Sequence, residues 1–144
     1  MIKTRTLDLY EVFALLNAAT TDGDRISILA ENQGFVLNTV LQANFDPAVQ
    51  FALPSGTPPY EVDNGDSDSS MNRISTVIRD LPLLLIGDNS LDSLKKEMRF
   101  IGMLESSNEE NAKILIAMKD KKLCDICPSL SVTLVRQAIF GITY

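Results

Sequence analysis

The residues with the most chemistry lie in one short stretch, KDKKLCDICPS, at positions 119–129. It sets Lys119, Lys121 and Lys122 beside Cys124 and Cys127, just ahead of a serine-rich segment. The C-x-x-C spacing suits a metal or a dithiol. A zinc site needs four ligands, and the chain holds no histidine and no second cysteine pair. A metal here would have to draw ligands from another subunit. Thioredoxin-type redox work needs the pair at a helix start after a strand, and the surroundings read as helical. Structural thiols are therefore the leading reading, with an intersubunit metal and redox work as the alternatives. Two cysteines three positions apart build no disulfide framework and fit a reducing compartment.

The lysines offer a second chemistry. Lys95, Lys96, Arg99, Lys119, Lys121, Lys122 and Arg136, seven of the eight basic residues of the second half, form the candidate set. They read either as a solvated surface or as a grip on phosphates. The second reading adds Ser129, Ser131 and Thr133 at a helix start. There, unpaired backbone N–H groups and the positive end of the helix dipole favour an anion. Hydroxyls and ammonium groups would complete a clamp on the phosphate backbone without reading bases.

Other chemistries find little support. With no histidine, no serine or cysteine has an imidazole base to activate it. No glycine-rich phosphate loop and no K-x-D-G nucleotidyl-transfer motif appears. The expectation is a protein that is not an enzyme, without a cofactor or a small-molecule substrate. Asp63, Asp66 and Asp68 invite a calcium-loop reading. An EF-hand needs alternate oxygen ligands, a glycine at its sixth position and a distal glutamate. No frame from Asp63 supplies these, so no metal is expected.

Charge narrows the partners. The net charge of the 144 residues is −6, unevenly spread. Residues 1–90 carry 5 basic and 12 acidic side chains, a net of −7, whereas residues 91–144 carry 8 and 7, a net of +1. A nucleic-acid footprint would have to be a local patch in the second half, against the overall field. No apolar run approaches the length of a membrane span, and MIKTRTLDLYEV has no signal core. No membrane partner is expected.

These side chains must be positioned by helices. Leu9, Val12, Phe13 and Leu16 have helical spacing, and Asp8 with Glu11 has that of a capping box. A short helix capped by Asp24 would run over 25–32, with Gly34 as its terminator. Phe35 to Ala43 would follow. Asp46-Pro47 signals a further helix over 47–53. Residues 54–70, PSGTPPYEVDNGDSDSS, read as an exposed acidic loop. Residues 71–85 suggest a helix interrupted by Pro82, with Ile74, Val77, Ile78 and Leu81 inward.

Three helices would close the chain, over 91–105, 108–119 and 129–140. In the first, capped by Ser90 or Asn89, Leu91, Leu94, Met98, Ile101 and Leu104 form an apolar stripe, and Lys95, Lys96 and Arg99 lie away from it. Ser107 with Glu110 gives the second an S-x-x-E capping box, with Ala112, Leu115, Ile116 and Met118 buried. Leu130, Leu134, Val135 and Ala138 make the apolar face of the third. The C-terminal QAIFGITY loosely has the order of residues in sliding-clamp docking peptides, though Ile139 and Phe140 read better as core. The whole reads as an all-α single domain of six to eight helices over 1–144.

The order of these elements resembles the N-terminal, all-helical DNA-binding domain of ATP-dependent DNA ligases of the tailed-phage type. Three stretches carry the likeness: LYEVFALLNAATTDGDRISILAENQG (9–34), FVLNTVLQANFDPAVQFALP (35–54) and LKKEMRFIGMLESSNEENAKILIAMKDKKLCDICPSLSVTLVRQAIFG (94–141). The chain is also similar to small proteins of tailed phages, including those of marine cyanobacteria. The resemblance implies a phage accessory protein, in the host cytoplasm or the virion, that binds duplex DNA without sequence preference. The family's turn before its last helix aligns with Lys121 to Ser129. The resemblance therefore gives Lys121, Lys122, Ser129, Ser131 and Thr133 as phosphate contacts. This sequence lacks the glycine of that turn and the nucleotidyltransferase and OB domains, and it is acidic where the ligase domain is basic. The alternative expectation is a protein-interaction or structural component of a virion or a replication or transcription complex, working with a phage or host protein.

Overall fold

Helix α5 (Glu109–Lys119) shows why the chain folds as it does. Its Asn111, Ala112, Ile114, Leu115, Met118 and Lys119 are all buried. Burial on more than one face means that this helix sits inside the fold, and α5 packs against four other helices. Around it stand α1 (Leu9–Ala18), α2 (Asp22–Glu31), α3 (Phe35–Phe45), α4 (Ser93–Glu105), the single turn α6 (Leu123–Ile126) and α7 (Val132–Ala138). A 3-10 segment, η1 (Ile78–Leu84), precedes α4. The computed structural model describes residues 7–61, 74–76, 78–139, 141–142 and 144. The protein is all-α. Among the described residues the only strand-like pairing is an antiparallel bridge between Phe51 and Leu85.

One apolar cluster joins the elements. Helix α1 gives it Leu9, Val12, Phe13 and Leu16, the four residues that the periodicity picks out. Its capping box also forms, with Asp8 as N-cap and Glu11 closing the reciprocal bond. Asp8 does more than cap. Its carboxylate accepts from the side-chain amides of Asn111 (2.8 Å) and Asn108 (3.2 Å). The Asn111 side-chain oxygen, Oδ1, in turn accepts from the Tyr10 N–H at 3.0 Å. This network pins the starts of α1 and α5 together. Leu130, Leu134, Val135 and Ala138 are buried as expected, and α7 packs against α2.

Several local signals lose to their surroundings. Helix α2 begins at Asp22 rather than Arg25, because Thr21 rather than Asp24 is the cap, its hydroxyl accepting from the Asp24 N–H. Gly34 starts α3 instead of ending α2. Asp46-Pro47 opens no helix: Asp46 ends α3, and its side chain accepts from Ala48 N–H in a turn. The following residues extend and pair with the end of η1, Ala52 N–H donating to Leu84 O and Ile86 N–H to Gln50 O. Around Pro82 the chain forms a 3-10 segment rather than a kinked α-helix. Proline lacks the N–H that an α-helix interior needs. The first closing helix is capped by Asp92, not Ser90 or Asn89.

The second closing helix is capped by Asn108 rather than Ser107. Ser107 is buried and donates to Met103 O. Ile116 is only half-buried, and Ile114 takes its expected place in the core. The third starts at Val132, three residues later than expected, because Ser131 is its N-cap, and residues 123–126 form the separate turn α6. Val77, Phe140, the acidic part of the loop beyond residue 61 and the calcium-loop aspartates lie outside the described residues.

Candidate interaction surface

Helix α4 turns the expected face outward. Its buried residues are Lys96, Phe100, Met103 and Leu104. At 100° per residue, positions 94, 98 and 101 lie opposite positions 96, 100 and 103. Leu94 and Met98 are accordingly 65% and 63% exposed, and Leu91 and Ile101 are half-buried. The stripe that the periodicity marks as core, Leu104 excepted, therefore faces outward. The reason is lateral: η1 and α5 both pack on α4, and together they claim the Phe100–Met103 face.

Lys96 belongs to that inner face. Its ammonium donates to Leu85 O at 2.9 Å and Asp88 O at 2.6 Å, closing the turn between η1 and α4. The expectation that Lys96 points away from the core is corrected here, since only 5% of the residue is exposed. Its neighbour Lys95 is exposed and makes no polar side-chain contact among the described residues.

Lys119 is likewise internal. Its Nζ donates to Pro54 O (2.7 Å) and Gly56 O (3.0 Å) and pairs with Asp120 at 2.6 Å. Asp120 also accepts from the Gly56 N–H at 2.9 Å. These contacts fasten residues 54–56 to the end of α5, facing α4. Between them lies a groove of about 340 Å3, walled by Pro54, Pro58, Pro59, Leu94, Met98 and Ile101. On the other side of the stripe a second hollow, about 450 Å3, is bordered by Lys95, Arg99 and Asp80. Arg99 is held there by Asp80 at 2.9 Å.

The remaining sequence-predicted site residues divide in the same way. Lys121 is at the end of α5 with φ 59°, in the left-handed position where a helix ending usually places glycine. Two backbone bonds close that ending, Lys122 N–H to Ala117 O and Lys121 N–H to Met118 O. The Lys121 ammonium reaches across to Ala43 O (2.9 Å) and Asp46 O (3.0 Å), covering the last carbonyls of α3. Burial lowers the pKa of this amine, against the pull of Asp46. Lys122 is exposed and caps nothing with its side chain. Ser131 is the N-cap of α7, accepting from Leu134 N–H. Thr133 is exposed on the first turn. Arg136 donates to the Tyr144 carbonyl at 2.6 Å. Ser129 sits 3.8 Å from Cys127 Sγ.

The cysteines have different environments. Cys127 is buried, and that burial pushes its thiol pKa up. Cys124 is exposed, its thiol donating to Leu130 O at 3.1 Å. Among the described residues no three cysteine or carboxylate side chains converge to hold a metal. No helix described is long and apolar enough to cross a membrane.

Of the ten sequence-predicted contacts, Lys96, Lys119, Lys121, Ser131 and Arg136 thus have bonds that hold the fold together. Arg99 pairs with Asp80 and Ser129 is half-buried beside Cys127, whereas Lys95, Lys122 and Thr133 are exposed with no side-chain partner among the described residues, on three different elements; Arg99, Lys121, Ser131 and Arg136 are exposed as well. What the sequence reading missed is the outward stripe of α4 and the proline wall beside it. The signal was present: α4 carries apolar residues on both faces, and one helix cannot bury both at the edge of a domain.

No curated protein and no solved structure matches the chain. A family model spans residues 12–125, from α1 into α6 and including all of α4, so the chain belongs to DUF6433, a family of unknown function.

Proposed function

We propose that this protein is a non-enzymatic interaction module that docks a protein partner on the outer face of α4. The observation that carries the proposal is the apolar stripe. Two large side chains on adjacent turns stand more than 60% exposed, flanked by two hollows. Contiguous exposed apolar surface rimmed by polar groups favours protein contact. The bonds of Lys96, Lys119 and Lys121 also support it, because they occupy ammonium groups that a phosphate grip would use, and Lys96 and Lys119 are buried besides. The setting suggested by the ligase-type resemblance is a phage assembly in the host cytoplasm or in the virion.

The DNA-binding reading retains Lys95 and Lys122. Two phosphate contacts would give a log–log salt slope of about −1.8 on duplex DNA. A low-salt titration separates the readings. Wild type and Lys95→Glu/Lys122→Glu should both show no saturable DNA binding. A parallel crosslinking experiment in infected or producing cells compares wild type with Leu94→Ser/Met98→Ser. The expected result is one protein adduct, lost in the variant. Salt-sensitive DNA binding abolished by the double charge reversal would overturn the proposal, as would adducts that survive the serine substitutions.

A further inference from the structure

We infer that Cys124 and Cys127 form a reversible dithiol–disulfide site that exchanges with small-molecule disulfides, with Cys124 as the attacking thiol and Cys127 as the resolving one. The site lies on the turn α6 and is independent of the interaction reading of α4. It does not use the thioredoxin arrangement, a helix start after a strand. Exchange itself requires only one accessible sulfur and a second within disulfide reach.

Both conditions are met in α6. The Cys127 N–H donates to Leu123 O at 2.8 Å, so residues 123–127 make one α-turn. Positions three apart in such a turn have Cα atoms about 5 Å apart, inside the range of about 4.4–6.8 Å that a disulfide spans. Both sulfurs meet the chain that follows the turn. Cys124 Sγ lies 3.1 Å from Leu130 O, and Cys127 Sγ lies 3.8 Å from Ser129 Oγ. The turn is also held from outside. Leu123 N–H donates to Asn44 Oδ1 of α3, and Asn17 Nδ2 of α1 donates to Ile126 O. A pair kept together in this way favours closing the ring over a lasting mixed disulfide. Access is unequal: Cys124 is exposed, whereas Cys127 is 0% exposed. A disulfide from solution therefore reaches only Cys124. Burial holds the Cys127 thiol protonated longer than an ordinary one, which keeps it from starting exchange. Its place beside Cys124 supplies the local concentration by which it finishes exchange.

In the first step the Cys124 thiolate attacks one sulfur of the small disulfide. That S–S bond breaks, and the departing thiolate takes up a proton. In the second, Cys127 loses its proton to solvent and attacks the Cys124 sulfur, and the second small thiol leaves. Together the cysteines lose two electrons and two protons, and the small disulfide becomes two thiols. The test equilibrates the intact chain with oxidised and reduced glutathione near neutral pH. Free thiols are then trapped by alkylation in denaturant and read by intact mass and peptide mapping. Wild type should become a monomer with a Cys124–Cys127 disulfide, and excess reduced glutathione should restore both thiols. Cys127→Ala should stop with glutathione bound to Cys124. Cys124→Ser, at an exposed position, should leave Cys127 a free thiol in the folded protein. Four results would overturn the inference: wild type still reduced in excess oxidised glutathione, wild type held at the Cys124 mixed disulfide, a disulfide between two chains, or Cys127 oxidised in Cys124→Ser. Wild type alone decides the matter where Cys127→Ala does not fold.

Discussion

Replacing Lys96 by methionine keeps an unbranched stem, one atom shorter, and removes the charge. The structure gives Lys96 two charge-assisted hydrogen bonds, to Leu85 O and Asp88 O. Each such bond contributes about 1.5–3 kcal/mol. Two opposing effects reduce the sum. Methionine no longer holds an ammonium away from water. Leu85 is only half-buried, and Asp88 stands beside an exposed turn, so water can reach part of both carbonyls. The net cost is then about 2–3 kcal/mol, or roughly 5–12 °C in Tm for a domain of this size. Lys95→Met is the internal control. It lies one residue away, exposed and without a side-chain partner, and should change stability by no more than about 0.5 kcal/mol. Urea unfolding followed by far-ultraviolet circular dichroism measures both, with unchanged slopes marking a pure stability effect. Equal midpoints for the two variants would refute the assignment of Lys96 to the inner face of α4.

Asp8→Ala removes an N-cap and strands the amides of Asn108 and Asn111, so it should cost about 2–4 kcal/mol in the same assay. Alkylation of native protein near neutral pH should label Cys124 and spare Cys127 until denaturant is added, as peptide mass spectrometry would read. Because burial raises the Cys127 thiol above its ordinary 9.0, its contribution to stability is complete below that value. It is lost as pH rises through the folded pKa. Tyr144, raised from 10.0, acts in the same direction. Lys121, lowered from 10.5, opposes them, since the unfolded chain holds that proton longer. Cys127→Ala should therefore flatten part of the alkaline fall in Tm, and an unchanged fall would count against this placement of the thiol. Lys119→Met should free residues 54–56 from α5 and raise amide exchange at Gly56, while a protected Gly56 would refute the fastening.

The sequence by itself determined that the chain is helical and placed most of its helices. Caps and periodicity are local properties, and α1 shows them acting without help: Asp8, Glu11 and the four apolar positions fall where the pattern puts them. It also determined which residues of α7 go inside, because that helix has one apolar face. Where two answers were equally good locally, tertiary structure chose. Asp46-Pro47 satisfies a helix start, yet the backbone pairing at Phe51 and Leu85 takes that segment instead. Ser107 and Asn108 both suit a cap, and burial of Ser107 against Met103 O decides for Asn108. Helix α4 is the sharpest case. It has apolar residues on both sides, so spacing cannot say which side is core. η1 and α5 settle that by covering Phe100 and Met103, and two backbone carbonyls make a buried place for Lys96 that no sequence pattern announces. The adjacent lysines 95 and 96 look alike in sequence. One is a rim charge and the other a fastening inside the fold, because each residue turns a helix by 100° and only the neighbouring elements define which direction is inward.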